Sequence, residues 1–496
     1  MSLKSICTFL FGLFIVLGTR AQTVQEIVEE TVTPSGVQAK IEFIASDELK
    51  GRDTPSPEQD IAAKYLSTRM KEWGVKMAPG MESYHQSVQF KKVTPPNDGQ
   101  FVAKDSTFAL GEDIVLLDGD SKDIEAKVVF LNYGSEEDFE KTKVEGKIAV
   151  VRLGEKGEPN VRKAFYAGRE KRERAAEKGA LALVELYTST QISWQLIKNY
   201  IGGPSISLDM GEEEDKGIPH LWLDDSAKNK DEFFSSIKGK ASLNVGGLRI
   251  EKFSANNVIG MVEGINPGLK DEIVVYSAHY DHVGLGRPDA IGDTIYNGTR
   301  DNGIGTITVL EAANNIAKYP LDRTAMFIFF TGEEKGLLGS EWFVEHPVVP
   351  LESIVMCFNS DNAGYNNTEI TTIVGLERTT AMDKLVESVE TYGLEAIKDP
   401  VPDQNLFDRS DQVSFARKGV PAIMYSLGLT AFDETLLKYY HQAADNPDSV
   451  DYEYLYKFTK AYVHACRLVG NMEDRPYWVE GDKYYEAGEE LYNSEQ

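Results

Sequence analysis

The chain has 496 residues, 42% hydrophobic and 26% charged, which describes an ordinary globular protein too long for a single core. Its 79 acidic against 52 basic residues leave a formal net charge of −27 with no basic stripe, so a nucleic-acid partner is not expected.

In chain order, MSLKSICTFLFGLFIVLGTRAQ sets one lysine ahead of an apolar run from Ile6 to Gly18 and a small residue near its end. The run is short for a bilayer span and reads as a signal peptide, residues 1–21, cleaved after Ala21. This predicts an exported chain, periplasmic or secreted, with no stable membrane span after cleavage. Removing the leader removes Cys7 and leaves Cys357 and Cys466 in apolar stretches, so buried free thiols are expected and a disulfide scaffold is not.

Residues 22–112 are expected to open the main domain. Within them TPSPEQDIAAKYLSTRMKEWGV predicts a helix with Ser56 as N-cap, Pro57 at the first helical position and Gln59 closing a capping box. Ile61, Tyr65, Leu66, Met70 and Trp73 are placed on its inner face, and Gly74 is its stop. From 113 to 247 the texture changes to short β-rich pieces, AKVVFLNYG, GKIAVVRLG, ALALVELY and IPHLWLD, around the charged stretch VRKAFYAGREKRERAAEKG. An inserted β-rich domain is expected there, with the charges on a solvated helix face. From 248 to 475 continuous apolar strands alternate with amphipathic helices, which predicts an α/β domain with a mainly parallel mixed sheet covered on both faces. Residues 476–496, acidic and aromatic, read as a loosely held tail.

In an open α/β sheet, ligands bind beyond the carboxyl ends of the strands, so the polar residues that end each apolar run are the candidates. IVVYSAHYDH ends in His279 and Asp281, FIFFTGEE in Glu333 and Glu334, and IVMCFNSD in Asp361. Between the first two, NGTRDNGIGT puts Asp301 in a glycine-rich turn before a helix, and YYHQAADNPD offers His441. Any one alone means little, since a strand-end Asp is often a helix cap; His85, His220, His346 and His464 are read as packed or surface residues and His282 is left unassigned. Together the donors suit zinc. Two histidines and three acids make two sites of three ligands when one carboxylate bridges metals roughly 3.5–4 Å apart. Asp281, two residues beyond His279, is expected to accept the other ring N–H and fix the tautomer.

These segments, with FTGEEKGLLGS, FNSDNAG, RSDQVSFARKGVPAI and YYHQAAD in that order, resemble the co-catalytic di-zinc exopeptidase family of secreted bacterial aminopeptidases, a group that includes glutamate carboxypeptidase and the transferrin-receptor ectodomain. The insert resembles a protease-associated (PA) domain. The resemblance implies two Zn²⁺ per chain, with Asp301 bridging, His279 and Asp361 completing one site and Glu334 and His441 the other. It implies Glu333 as the general base and Tyr440 as the hydroxyl that supports the oxyanion, acting on a peptide substrate. Ser410 and Asp411 read either as support behind the site or as the cap of the next helix. NGT at Asn297 and NNT at Asn366 fit the glycosylation pattern and are read as chance.

The chain departs from the family pattern at Arg300, where an acidic or small residue is common, at Asn362, where methionine is common, and in the long segment LTAFDETLLKYY. Ligands are intact, so these changes bear on substrate preference. An aminopeptidase is the favoured reading. A carboxypeptidase or a one-zinc glutaminyl cyclase on the same fold, and a non-catalytic receptor-like protein, are the alternatives, and oligomeric state is left open.

Overall fold

The computed structural model describes residues 22–158, 160–211 and 217–493, and the expected leader lies outside them. The chain divides into two units, one ending at Gln86 and resuming at Asn257, the other running from Ser87 to Asn256.

The first unit is built on the part of strand β1 (Arg249–Val262) from Asn257 onward and on β2 (Ile273–His279), β3 (Thr324–Phe330), β4 (Ile354–Ser360), β5 (Ile370–Val374), β6 (Glu395–Ile397) and β7 (Ala422–Leu427). They run in the order β6-β5-β7-β4-β2-β3-β1. The four at the centre, β7, β4, β2 and β3, are mutually parallel, while β1 joins β3 and β5 joins β7 antiparallel. Every residue of β2, β3, β4 and β7 is buried, as a sheet covered on both faces requires. Side chains alternate between two cores: Val274, Tyr276, Ala278, Phe327 and Phe329 point one way, Val275, Met326, Ile328 and Phe330 the other.

On the first face lie α1 (Val24–Thr31), α2 (Pro34–Ile44), α3 (Pro57–Glu72) and α4 (Gly305–Lys318); across the sheet lies α5 (Leu338–Glu345). Helix α6 (Met382–Glu390) returns to the first face, α7 (Gln412–Arg417) joins α5, and α8 (Tyr452–Gly470) completes the first face. Two tyrosines in this core satisfy their hydroxyls on main-chain carbonyls, Tyr276 donating to Cys466 O (2.8 Å) and Tyr462 to Phe358 O (2.9 Å). Cys357 and Cys466 are buried free thiols.

Helix α3 differs from expectation in detail. Ser56 caps it, but the Gln59 amide turns away to the hydroxyls of Thr54 and Thr331 and leaves the capping box open. Its buried face carries Ala62, Ala63, Leu66 and Met70, while Ile61 is 51% exposed. Two alanines allow the helix axis close to its neighbours, and that closeness outweighs burial of one larger side chain.

The expected loose tail is packed as far as Asn493. Trp478 is buried and donates Nε1–H to Gly419 O (2.9 Å), Arg378 grips both oxygens of Asp482 (2.6 and 2.9 Å), and Tyr492 in α9 (Tyr485–Asn493) donates to Ile354 O (2.6 Å). The aromatic residues are the anchors.

The second unit is wider than the 113–247 expected, because the short strands Gly99–Ala103 and Ser106–Ala109 extend its sheet. Its centre is parallel, Lys122–Phe130, Lys147–Arg152, Ala182–Tyr187 and His220–Asp224, with antiparallel strands outside. The charged helix Val161–Glu177 turns Ala164, Gly168, Lys171 and Ala175 inward. Lys171 is therefore no part of a solvated face: its Nζ meets Glu185 (2.7 Å), whose other oxygen takes bonds from His220 and Trp222 (2.9 Å each). Burial works to raise the Glu185 carboxyl, but His220 and Lys171 outweigh it and hold it at about 2. Among the described residues no helix is long and apolar enough to cross a membrane.

Candidate metal centre

Because the four central strands are parallel, their carboxyl ends share one edge. Register then sets which polar residues meet. His279 pairs with Phe330 and Ser277 with Asn359, so two residues further along Asp361 draws level with His279, and its Oδ1 lies 3.2 Å from His279 Nε2. Beyond β3, Gly332 turns the chain at a φ of 67°, and the two glutamates diverge. Glu333 points back toward His279, Oε2 to Nε2 at 3.9 Å, whereas Glu334 reaches His282 Nδ1 (2.7 Å) and His441 Nε2 (3.2 Å).

Asp301 sits in the turn Thr299–Ile304 that feeds α4. The turn starts at Gly298 with a φ of 61°, and a Cβ there would lie 2.4 Å from Asp301 O and 2.5 Å from the His282 ring, so only glycine fits. Asp301 directs Oδ1 to His279 Nε2 (3.3 Å) and Oδ2 to His441 Nε2 (3.1 Å). One carboxylate thus stands between two imidazoles that belong to different ends of the site. His441 itself adopts a left-handed φ of 52° in a turn, with the Tyr440 ring stacked on it at 4.1 Å.

The donors form two groups, His279 with Glu333 and Asp361, and His282 with Asp301, Glu334 and His441, their ligand atoms within 4.8 Å of one another in each. All five expected ligands and Glu333 come together. Asp281 departs from its expected contact. The hydrogen bond at His279 Nδ1 goes to the Asp281 main-chain carbonyl (3.2 Å), and the carboxylate stands 3.8 Å away. That carboxylate instead accepts from Glu333 N (3.3 Å) and Thr54 Oγ1 (3.2 Å), so it braces the turn that carries both glutamates. His282, left unassigned by sequence, is fully buried beside Glu334, and its Nε2 has no hydrogen-bond partner among the described residues. The only sequence signal for it was its place at the end of the same strand as His279. Ser410 accepts from Asn359 Nδ2 (2.9 Å), while Asp411 is buried and makes no side-chain cap to α7.

The electrostatics are those of a cation site. Burial alone would lower the His279 imidazole, but Glu333, Asp361 and Asp301 hold it well above the usual histidine range. Burial is likewise overcome at His441, which hydrogen bonds to Asp301 and Glu334 push up to about 10. Asp301 and Glu334 are correspondingly held down, the first well below the carboxylate range and the second at about 2, by bonds from the histidines that outweigh burial. Glu333 goes the other way: burial first, then repulsion from Asp361 and Glu334, raises it well above the carboxylate range in spite of His279. Four carboxylates and three imidazoles gathered in one cluster match hard-to-borderline metal preferences. The residues present fit divalent metal.

The cluster opens into a cavity whose apolar wall includes Leu406, Met424, Leu429 and Phe432, with Tyr440 beside it. Residues 257–466, which contain every donor, match the description peptidase family M28. The match spans less than half of the chain. Part of the chain is similar to a vacuolar membrane protease of Lachancea thermotolerans, 30% identical over 149 residues, or 30% of this chain and 14% of that protein. It is also similar to a probable leucine aminopeptidase of Arthroderma otae, 32% identical over 128 residues, 25% of this chain and 35% of that protein. These matches thus span about a seventh and about a third of the relatives' own length. In fold the chain is similar to an aminopeptidase from Aneurinibacillus sp. strain AM-1, with a TM-score of 0.58 at 19% identity, covering 91% of this chain and 97% of that one.

Proposed function

We propose that the chain is a zinc-dependent aminopeptidase that removes N-terminal residues from peptides, with Glu333 as general base. The observation that carries this reading is Asp301, which offers one oxygen toward each of His279 and His441 and so suits a shared ligand. His279 and Asp361 would complete one zinc, Glu334 and His441 the other. When bound, the two ions supply an acidified water and polarise the scissile carbonyl.

The chain's own residues do the remainder. Glu333 lies outside the proposed ligand set, with Oε2 3.9 Å from His279 Nε2, beside the ions it would serve. It takes a proton from the attacking water and passes it to the departing amine. Tyr440, stacked on His441 at the cavity wall, offers its hydroxyl to the oxyanion, and burial keeps that hydroxyl protonated. Asp281 positions the Glu333 amide. The relatives' printed names support an aminopeptidase over a carboxypeptidase or cyclase. The apolar leader supports export, and the parallel-centred second unit supports a PA-like insert.

The test is hydrolysis of a panel of free-amine aminoacyl amides, N-acylated dipeptides and N-terminal Gln peptides, with metal counted in parallel. Cleavage of the free-amine set alone, at about two zincs per chain, is expected. Cleavage confined to acylated dipeptides, cyclisation of Gln peptides at one zinc, or no turnover of any unblocked peptide would overturn the reading.

A further inference from the structure

Arg300 immediately precedes Asp301, where a small or acidic residue was expected, and it is buried. Its guanidinium lies 3.7 Å from the centre of the Tyr439 ring and 5.1 Å from that of Tyr365. Nη1 donates to Asp445 Oδ1 (2.8 Å) and Ser449 Oγ (2.7 Å), and Nη2 to Ser449 O (2.6 Å). One side chain thus grips Tyr439 on one side of His441 and Asp445 and Ser449 on the other. Between those grips the chain turns back, with Gln442 N bonded to Tyr439 O and Asp445 N to Gln442 O, and holds His441 at its positive φ. Left-handed backbone is unfavourable for a non-glycine residue and persists only where its surroundings enforce it.

We infer that Arg300 is a positioning residue for the zinc held by Glu334 and His441: a clasp that fixes the His441 turn against the Asp301 turn. The inference rests on the two-zinc reading and goes beyond it. Its selectivity follows from the other anchors. The Asp445 carboxylate accepts from the main-chain amides of Arg300 (2.9 Å) and Asp301 (3.4 Å), bonds that do not need the guanidinium. On the side of His279 and Asp361, Asn302 is tied to Ser360 O (2.8 Å) and Asn362 Nδ2 donates to Asn302 Oδ1 (2.9 Å). The Asp301 turn keeps its place without Arg300; the His441 turn keeps its Asp445 end through these main-chain bonds and loses its hold at Tyr439 and Ser449. Lysine would keep a charge near Asp445 but neither the planar stack nor the fork to Ser449.

The experiment is stepwise zinc removal from the full chain by a chelator of known affinity, with folding checked by circular dichroism. His441→Ala and Asp361→Asn identify which step belongs to which ion. Arg300→Ala is expected to weaken the His441 step by about 10–100-fold, the scale for partners that orient ligands, and to leave the Asp361 step within roughly twofold. Arg300→Lys should recover part of the loss. Tyr439→Leu, which removes only the stack, should shift the same step by less, and it decides the matter should Arg300→Ala not fold. Wild type with two steps and folded variants whose steps are unchanged, or both weakened alike, would overturn the clasp alone. Wild type that binds no zinc pair would overturn the function proposed above and the clasp with it.

Discussion

Glu333 and Glu334 are neighbours in sequence and opposites in chemistry. Glu334 is held charged by His282 and His441, while burial and nearby acids raise Glu333. Glu333→Gln is therefore expected to keep both zincs and lose about 10²–10⁴ of kcat, the range for a general base, while Glu334→Ala loses metal first. Metal analysis beside turnover separates the two, and zinc loss from Glu333→Gln would remove it from the base role. His282 fixes the far oxygen of Glu334 at 2.7 Å and leaves the other facing His441. His282→Phe is expected to weaken zinc binding by about 10–100-fold in chelator competition, and unchanged binding would make the contact incidental.

At the scale of the element, the parallel strands explain why the site was visible at all. A polar residue that ends an apolar run in such a sheet has one edge to go to, so His279, Glu333, Glu334 and Asp361 could be gathered without knowing the strand order. What register does not encode was missed. Ile61 and Ala62 lie on adjacent stripes of α3, and only packing against the core selects the smaller one. The destination of the Asp281 carboxylate depends on Thr54, far upstream. In the second unit, Lys171 looked like one more surface charge until its strand partner Glu185 appeared beneath it. Glu185 yields a pH prediction. Its carboxyl falls from 4.5 to about 2 on folding, so its contribution is complete above the unfolded value and is lost as pH falls through the folded one. Between those limits the second unit should lose on the order of 3 kcal/mol, measured as acid unfolding. Glu185→Gln should cost about 3–5 kcal/mol at neutral pH by stranding Lys171, and should flatten the acid dependence.

At the scale of the whole molecule, the two units have separate hydrophobic cores, and the donors belong to only one of them. Calorimetry is expected to show two transitions. Free zinc at about 1,000 times its dissociation constant should raise the transition of the first unit by about 4 kcal/mol and leave the second in place. A single transition that moves as a whole with zinc would contradict the division. The change of texture after residue 112 was legible from composition; the strands Gly99–Ala103 and Ser106–Ala109 were not, because they are too short to stand out. The tail was misjudged for a related reason: Trp478 and Tyr492 are anchors only once Gly419 and Ile354 are in place to receive them.

The distance along the chain between His279 and His441 also governs when the centre can exist. A ribosome delivers β2 long before the turn that Arg300 secures, and parallel pairing of β2, β3, β4 and β7 waits on each intervening crossover. A nascent chain halted short of His441 lacks one member of the donor cluster, so on the reading proposed above a second zinc has no complete seat until that turn has emerged and docked.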